Sequence, residues 1–241
     1  MKLLRLGATF LATLALVACG GSSGGEAGKE SLPINKEQSE QKVQQLADGD
    51  GYFVKFKYSS SDNGEQGEEN VMSYGIKGDV FWVIKDDDGM AIKQDATQYY
   101  YYSISDGEYE YESSLSKEQA DQMGISYQMI YSRWLYFGNT YDGQLTKGKD
   151  TTVAARSCYT YTFNYSSVDL GAYASLVEGL ADLKVEYMIA VDKELGLTMK
   201  LEIYGQADGE SGQFSFKVLE FKTGSQIQVP NLPAPVPANN D

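Results

Sequence analysis

Histidine is absent from the 241 residues. Its absence removes the most frequent general base near neutral pH, a common zinc ligand and the centre of a Ser-His-Asp triad. Cysteine is nearly as scarce, with only Cys19 and Cys158. Four of the five prolines fall between Pro230 and Pro237, so no proline interrupts a strand or helix from Asn35 to Val229. Positive charge is thin, with 20 Lys and Arg against 34 Asp and Glu, for a net charge of −14. No basic stripe exists to displace counterions, which argues against a nucleic-acid partner. The apolar run from Leu6 to Ala18 is shorter than the roughly 20 residues of a membrane-spanning helix. The acids are plentiful, but they fall on solvent faces and in turns, and no pair stands out for glycoside chemistry. Asp86-Asp87-Asp88-Gly89 lacks the spacing of an EF-hand loop and reads as a hairpin turn. The expectation is a protein that is not an enzyme, with no metal.

The N-terminus supplies an address. Lys2 and Arg5 precede the apolar run and small residues close it, the pattern of a secretory leader. Leu16-Val17-Ala18-Cys19 resembles the lipobox of bacterial lipoproteins. That resemblance implies cleavage before Cys19 and acylation of its sulfur with a diacylglycerol carrying palmitate-type chains. Two acyl chains anchor a protein stably where one binds only marginally. Residues 1–18 then form the leader. Residues 19–34, opening with Gly20-Gly21-Ser22-Ser23-Gly24-Gly25, form a lipidated flexible tether. Loss of Lys2 and Arg5 takes the net charge from −14 to −16, so an anionic lipid surface repels the domain that the tether holds off. The expected location is the extracytoplasmic face of a cell membrane, with a Gram-positive surface favoured and an outer membrane as the alternative. No cofactor is expected beyond the covalent lipid. With Cys19 acylated, Cys158 stands alone in a strand-like run, as a small packed residue.

Residues 35–233 read as one domain and 234–241 as a disordered tail. The first element is a helix, Lys36 to Ala47, stopped by Asp48-Gly49. The apolar period then changes to two: Tyr52, Val54, Phe56 and Tyr58 share one face of a strand, with Lys55 and Lys57 on the other. Similar alternation recurs around Trp82, Tyr109, Tyr161, Ile189, Leu201 and Phe216. Short Gly- and Asp-rich joints such as Lys77-Gly78-Asp79 and Ser105-Asp106-Gly107 make successive strands antiparallel neighbours. Two helical stretches interrupt them. One starts at the capping box Ser116-Lys117-Glu118-Gln119 and runs to about Gly138; the other spans about Asp169 to Ala181 with Leu170, Tyr173, Leu176, Val177 and Leu180 on one face. The fold class is α+β: a curved antiparallel sheet of about ten strands, a half-barrel, covered by helices.

Val191-Asp192-Lys193-Glu194-Leu195-Gly196-Leu197-Thr198-Met199-Lys200-Leu201 looks like the D-x-x-T-G-L-P-x-K-L hairpin of the LolA/LolB and LppX/LprG-type lipoproteins, with Leu195 in place of Thr and Thr198 in place of Pro. The order of elements resembles the same fold. The resemblance implies an apolar cavity between sheet and helical lid that takes a lipid or lipid-modified molecule. Trp82, Tyr159, Tyr161 and Phe163 from the sheet, with Trp134, Tyr173 and Leu176 from the lid, would line it. A solid core made of the same side chains is the plainer alternative.

Tyr99 to Tyr111 contains six tyrosines in thirteen residues. Tyrosine has a high β propensity and an apolar body with a polar tip, so cross-strand packing accounts for most of them. The alternative function is a cell-envelope interaction module, in which Tyr99 and Tyr101 present an aromatic face to a protein or glycan partner.

Overall fold

The computed structural model describes residues 30–122, 145–166, 184–207 and 209–235. The leader, Cys19, most of the tether and the end of the tail lie outside these residues. So do Trp134, Tyr173 and Leu176, the whole of 169–181, and 123–138 of the other expected helix.

Helix α1 (Lys36–Asp48) matches the expected span to one residue. Its start is fixed by a reciprocal cap: Gln38 N donates to Asn35 Oδ1 at 2.9 Å, and Asn35 N donates to Gln38 Oε1 at 3.1 Å. Ser39, Val43 and Ala47 are buried, a row at helical spacing. The strands follow as β1 (Tyr52–Asp62), β2 (Glu65–Gln66), β3 (Asn70–Lys77), β4 (Val80–Lys85), β5 (Asp88–Gln94), β6 (Gln98–Ser105) and β7 (Glu108–Ser116). Helix α2 (Lys117–Gln122) comes next, and the predicted capping box is formed: Gln119 N donates to Ser116 Oγ at 3.1 Å and Ser116 N to Gln119 Oε1 at 3.0 Å. The remaining strands are β8 (Thr146–Lys147), β9 (Thr151–Val153), β10 (Arg156–Ser166), β11 (Lys184–Asp192), β12 (Thr198–Ala207) and β13 (Glu210–Thr223).

The strands form a large open antiparallel sheet with the order β7-β6-β5-β4-β3-β1-β13-β12-β11-β10-β8; β2 pairs with β1 and β9 with β10. Thirteen strands replace the expected ten or so. The difference is β2, β8 and β9, each two or three residues long. Segments that short carry no readable alternation.

The chain divides into two compact units. The first holds Met1–Ser39, Tyr58–Glu69 and Leu135–Lys217; the second holds Glu40–Lys57, Asn70–Trp134 and Val218–Asp241. In the first, Tyr161, Ile189, Leu201 and Phe216 stand opposite one another across β10, β11, β12 and β13. All four are buried. The opposite face carries Thr162, Asn164, Glu186 and Tyr204, all exposed. Residues 30–34, read as the end of the tether, pack here. Glu30 and Leu145 exchange backbone hydrogen bonds of 2.7 and 3.2 Å. Gly196 has φ +74°, and an added Cβ would lie 2.7 Å from Ile34 Cγ2, so both its backbone and its neighbour require glycine.

In the second unit the middle of the sheet, around β4, is apolar on both faces. Ile76, Phe81 and Ile92 are buried in one cross-strand row, with Tyr101 next along it. Gly75, Trp82, Ala91 and Tyr102 form the neighbouring row, which points the other way because successive residues of a strand alternate. An added Cβ on Gly75 would lie 2.2 Å from Trp82 Cζ2, so the indole lies directly over the bare backbone. Val80, Trp82, Ala91, Tyr102, Ile104 and Ile227 make one buried cluster, with Phe53, Tyr111 and Leu232 against it. The Pro-containing segment after β13 thus supplies Ile227 and Leu232 as apolar cover. It makes no strand, as expected of proline, and Lys77 Nζ holds its start by donating to Gly224 O at 2.9 Å.

Candidate functional site

The sheet residues named from the sequence fall in both units. Trp82 belongs to the second, inside the cluster just described. Tyr159, Tyr161 and Phe163 belong to the first, spaced by two along β10, so they share a face. Phe163 is buried against Tyr187, with ring centroids 5.8 Å apart. Tyr161 is fully buried, and its hydroxyl has no hydrogen-bond partner among the described residues. Burial, then the charges of Glu30, Tyr159 and Asp150, push its phenol up to about 12. Tyr159 is half-buried, with its ring centroid 6.3 Å from that of Tyr161.

Two lysines gather at Tyr159. Lys147 stands opposite Tyr161 in the β8–β10 register, and its Nζ lies 5.0 Å from the Tyr159 ring centroid. Lys193 comes from the turn after β11 and places its Nζ 4.7 Å from the same centroid. Ammonium groups at this range are attracted by the ring's negative face. Lys193 also donates to Asp150 Oδ2, and that carboxylate raises the lysine's pKa. Among the described residues Lys147 forms no ion pair. The result is an apolar row that ends in a buried hydroxyl and two cations at the β8 end of the sheet.

Sequence reasoning missed both lysines. Lys193 was read only as part of a turn, and Lys147 sits in a strand of two residues that pairs with β10 past the β9 hairpin. The one available signal was a Lys two residues after Leu145, itself buried.

The neighbouring charges are structural. Asp192, the acid of the hairpin motif, is 1% exposed. Its Oδ1 accepts from Leu195 N at 2.7 Å and Glu194 N at 3.0 Å, which shapes the turn. Arg156 grips it with two bonds, Nε to Oδ2 at 2.5 Å and Nη2 to Oδ1 at 3.0 Å. Nη2 also donates to Glu194 Oε2 at 2.9 Å. Cys158 is fully buried beside this pair, and burial, with the Asp192 charge behind it, pushes the thiol up to about 11. A thiol held that high is a poor nucleophile at neutral pH.

Tyr99 and Tyr101 are both half-buried on β6. Lys117 Nζ lies 5.7 Å from the Tyr99 ring centroid, and Tyr101 continues the buried Ile76–Phe81–Ile92 row. Tyr102 is buried on the opposite face, edge-on to Tyr111 at 5.8 Å. Tyr100 donates to Asp95 Oδ2 at 2.7 Å; with the Thr97 and Gln98 amides this holds the Asp95 carboxyl well below the usual carboxylate range. Among the described residues, no group of three or more Cys, Asp or Glu side chains is arranged to hold a metal ion, and no helix is long and apolar enough to cross a membrane.

No family model and no curated protein matches the chain. Among solved structures it is similar to MucB in complex with MucA(peri), at 14% identity over 82% of this chain and 60% of that one, with a TM-score of 0.30. It is also similar to the Mycobacterium tuberculosis lipoprotein LppX, at 7% identity over 81% and 96% of the two chains and a TM-score of 0.30. A LolA superfamily protein from Nitrosomonas europaea gives 11% identity, 82% and 96% coverage and a TM-score of 0.23. At these TM-scores the strand order and register, not the superpositions, define the architecture.

Proposed function

We propose that this chain is a lipid-anchored protein of the cell envelope that binds an amphiphile on the apolar sheet face of its first unit, without catalysing a reaction. The observation that carries this reading is the buried Tyr161–Ile189–Leu201–Phe216 row, which runs across four strands and ends beside Tyr159 at two lysines. Four strands at about 4.8 Å spacing make a strip about 14 Å long, enough to hold most of an acyl chain. An acyl chain on the strip takes the place of the apolar contacts that now bury it, and its head comes to rest at the polar end. Absence of histidine and a thiol pushed up to about 11 support a binding role over catalysis. The lipobox-like Leu16–Cys19 sequence supports the anchor, and with it an extracytoplasmic location.

The test is native mass spectrometry of residues 20–241, exported behind a cleavable leader from cells that make lipids, followed by lipid extraction. Starting at residue 20 keeps the Glu30–Leu145 bridge. A stoichiometric bound amphiphile is expected. A chain that emerges empty and takes up no added lipid overturns the reading. Separately, Cys19→Ala should move the full chain out of the membrane fraction; retention there, unprocessed, would sink the anchor.

A further inference from the structure

Resting on the amphiphile reading, we infer that the Lys147–Tyr159–Tyr161–Lys193 corner is a head-group site selective for an anionic oxygen head, a carboxylate or a phosphate. Three independent features converge there. The Tyr161 hydroxyl is buried and lacks a partner among the described residues, although a buried phenol normally finds one. A hydroxyl donor in that position is completed by an acceptor oxygen. Lys147 faces the same side as Tyr161 by its register and forms no ion pair among the described residues. Lys193 lies against the same Tyr159 ring, so two ammonium groups gather at one aromatic side chain.

The charges already present determine what the head must be. Asp150 occupies Lys193, and Glu30 is near enough to act on the Tyr161 phenol. These acids repel a second anion unless it gains Lys147, so the site selects a head small enough to reach Lys147 and Tyr161 together. A cationic head is disfavoured by the two lysines and has no use for a donor hydroxyl. A neutral alcohol gains the hydroxyl contact alone. The remaining contacts on the strip are apolar and indifferent to the head, so discrimination between ligands of equal chain length reports on the corner itself.

The test compares palmitate, lysophosphatidate with a palmitoyl chain, and hexadecanol, each titrated below its aggregation limit onto residues 20–241. At least one anionic ligand should bind about tenfold more tightly than hexadecanol, the size of one charge-assisted hydrogen bond. Palmitate alone showing the preference assigns a carboxylate head, lysophosphatidate alone a phosphate, and both the shared chemistry. Lys147→Gln, an exposed change that leaves the fold intact, should bring the preference to within about threefold. Tyr161→Phe should also narrow the preference, because the anionic head loses a charge-assisted bond and hexadecanol only a weaker neutral one. Equal binding of all three ligands overturns the head-group site and leaves the amphiphile reading standing. A preference that survives both substitutions also overturns it. No binding of any of the three overturns both.

Discussion

The two units bury their sheets in different ways. In the first, strands β10 to β12 put large apolar side chains on one face and Thr, Asn, Glu and Lys on the other. In the second, β4 reads Val80-Phe81-Trp82-Val83-Ile84 and is packed on both sides, Phe81 with Ile76 and Ile92, Trp82 with Tyr102 and Ile227. The first unit also concentrates the buried charge, Arg156 on Asp192, while the second depends on aromatic packing. A sheet with one wet face needs its charges to define turns and edges. A strand covered on both faces, as β4 is, is defined by shape, which is why bare Gly75 lies under the indole.

Substitutions can break that contrast. The largest effect is expected from Arg156→Ala, which leaves the Asp192 carboxylate buried without its cation. Such losses run from about 3 to 5 kcal/mol, and the lower end applies because two backbone amides still reach Asp192. The urea midpoint should fall, and hydrogen exchange should accelerate first in β10 and β11. Next comes Gly75→Ala, where the new methyl meets the Trp82 ring in a filled space; overpacking of this kind costs about 1 to 3 kcal/mol. Trp82→Leu in the same chain should recover part of the melting temperature. If Gly75→Ala melts like the parent, the second unit is not defined by shape as stated. A third change, Ser116→Ala, removes the α2 cap at a cost of about 1 kcal/mol, read from the same melting curve.

The last effect is confined to alkaline solution and sharpens the contrast through protons. The Cys158 thiol rises from its ordinary 9.0 to about 11 on folding, mainly by burial. A group raised in the folded state contributes stability that is complete below its unfolded pKa and is lost as pH climbs through the folded one. The parent should therefore lose stability between about pH 9 and 11. Cys158→Ala should flatten that slope in a urea titration repeated at several pH values. An unchanged slope would place the alkaline sensitivity elsewhere.

Much of this was legible in advance because it is local. The α1 span, the Ser116–Gln119 box and the one-sided strands around Tyr161 and Leu201 follow from spacing over a few residues. The double-sided burial of β4 was also present, in an apolar run without polar alternation, but such a run does not tell what covers its second face. Its cover is Ile227 and Leu232, more than a hundred residues downstream, at the end of the domain where the sequence shows neither strand nor helix period. The candidate site was half visible for the same reason. Tyr159, Tyr161 and Phe163 announce a face by period two. Lys147 reaches them only through a two-residue strand, and Lys193 only through the folded position of a turn. The buried role of Asp192 was hidden because an acid in a turn motif normally faces water, and only its pairing with Arg156, 36 residues away, explains its burial.

The pairing of Asn63 with Ser211 sets the order in which the chain can assemble. Asn63 N donates to Ser211 O at 2.7 Å and Ser211 N to Asn63 Oδ1 at 2.8 Å, between residues 148 positions apart. The hairpins from β3 to β7 join neighbours in the chain and pay little loop-closure entropy, so they form early. The end of β1 must wait for β13, the last strand in chain order among the described residues. Until then β1 has an unpaired edge, open to pairing with the edge of another chain.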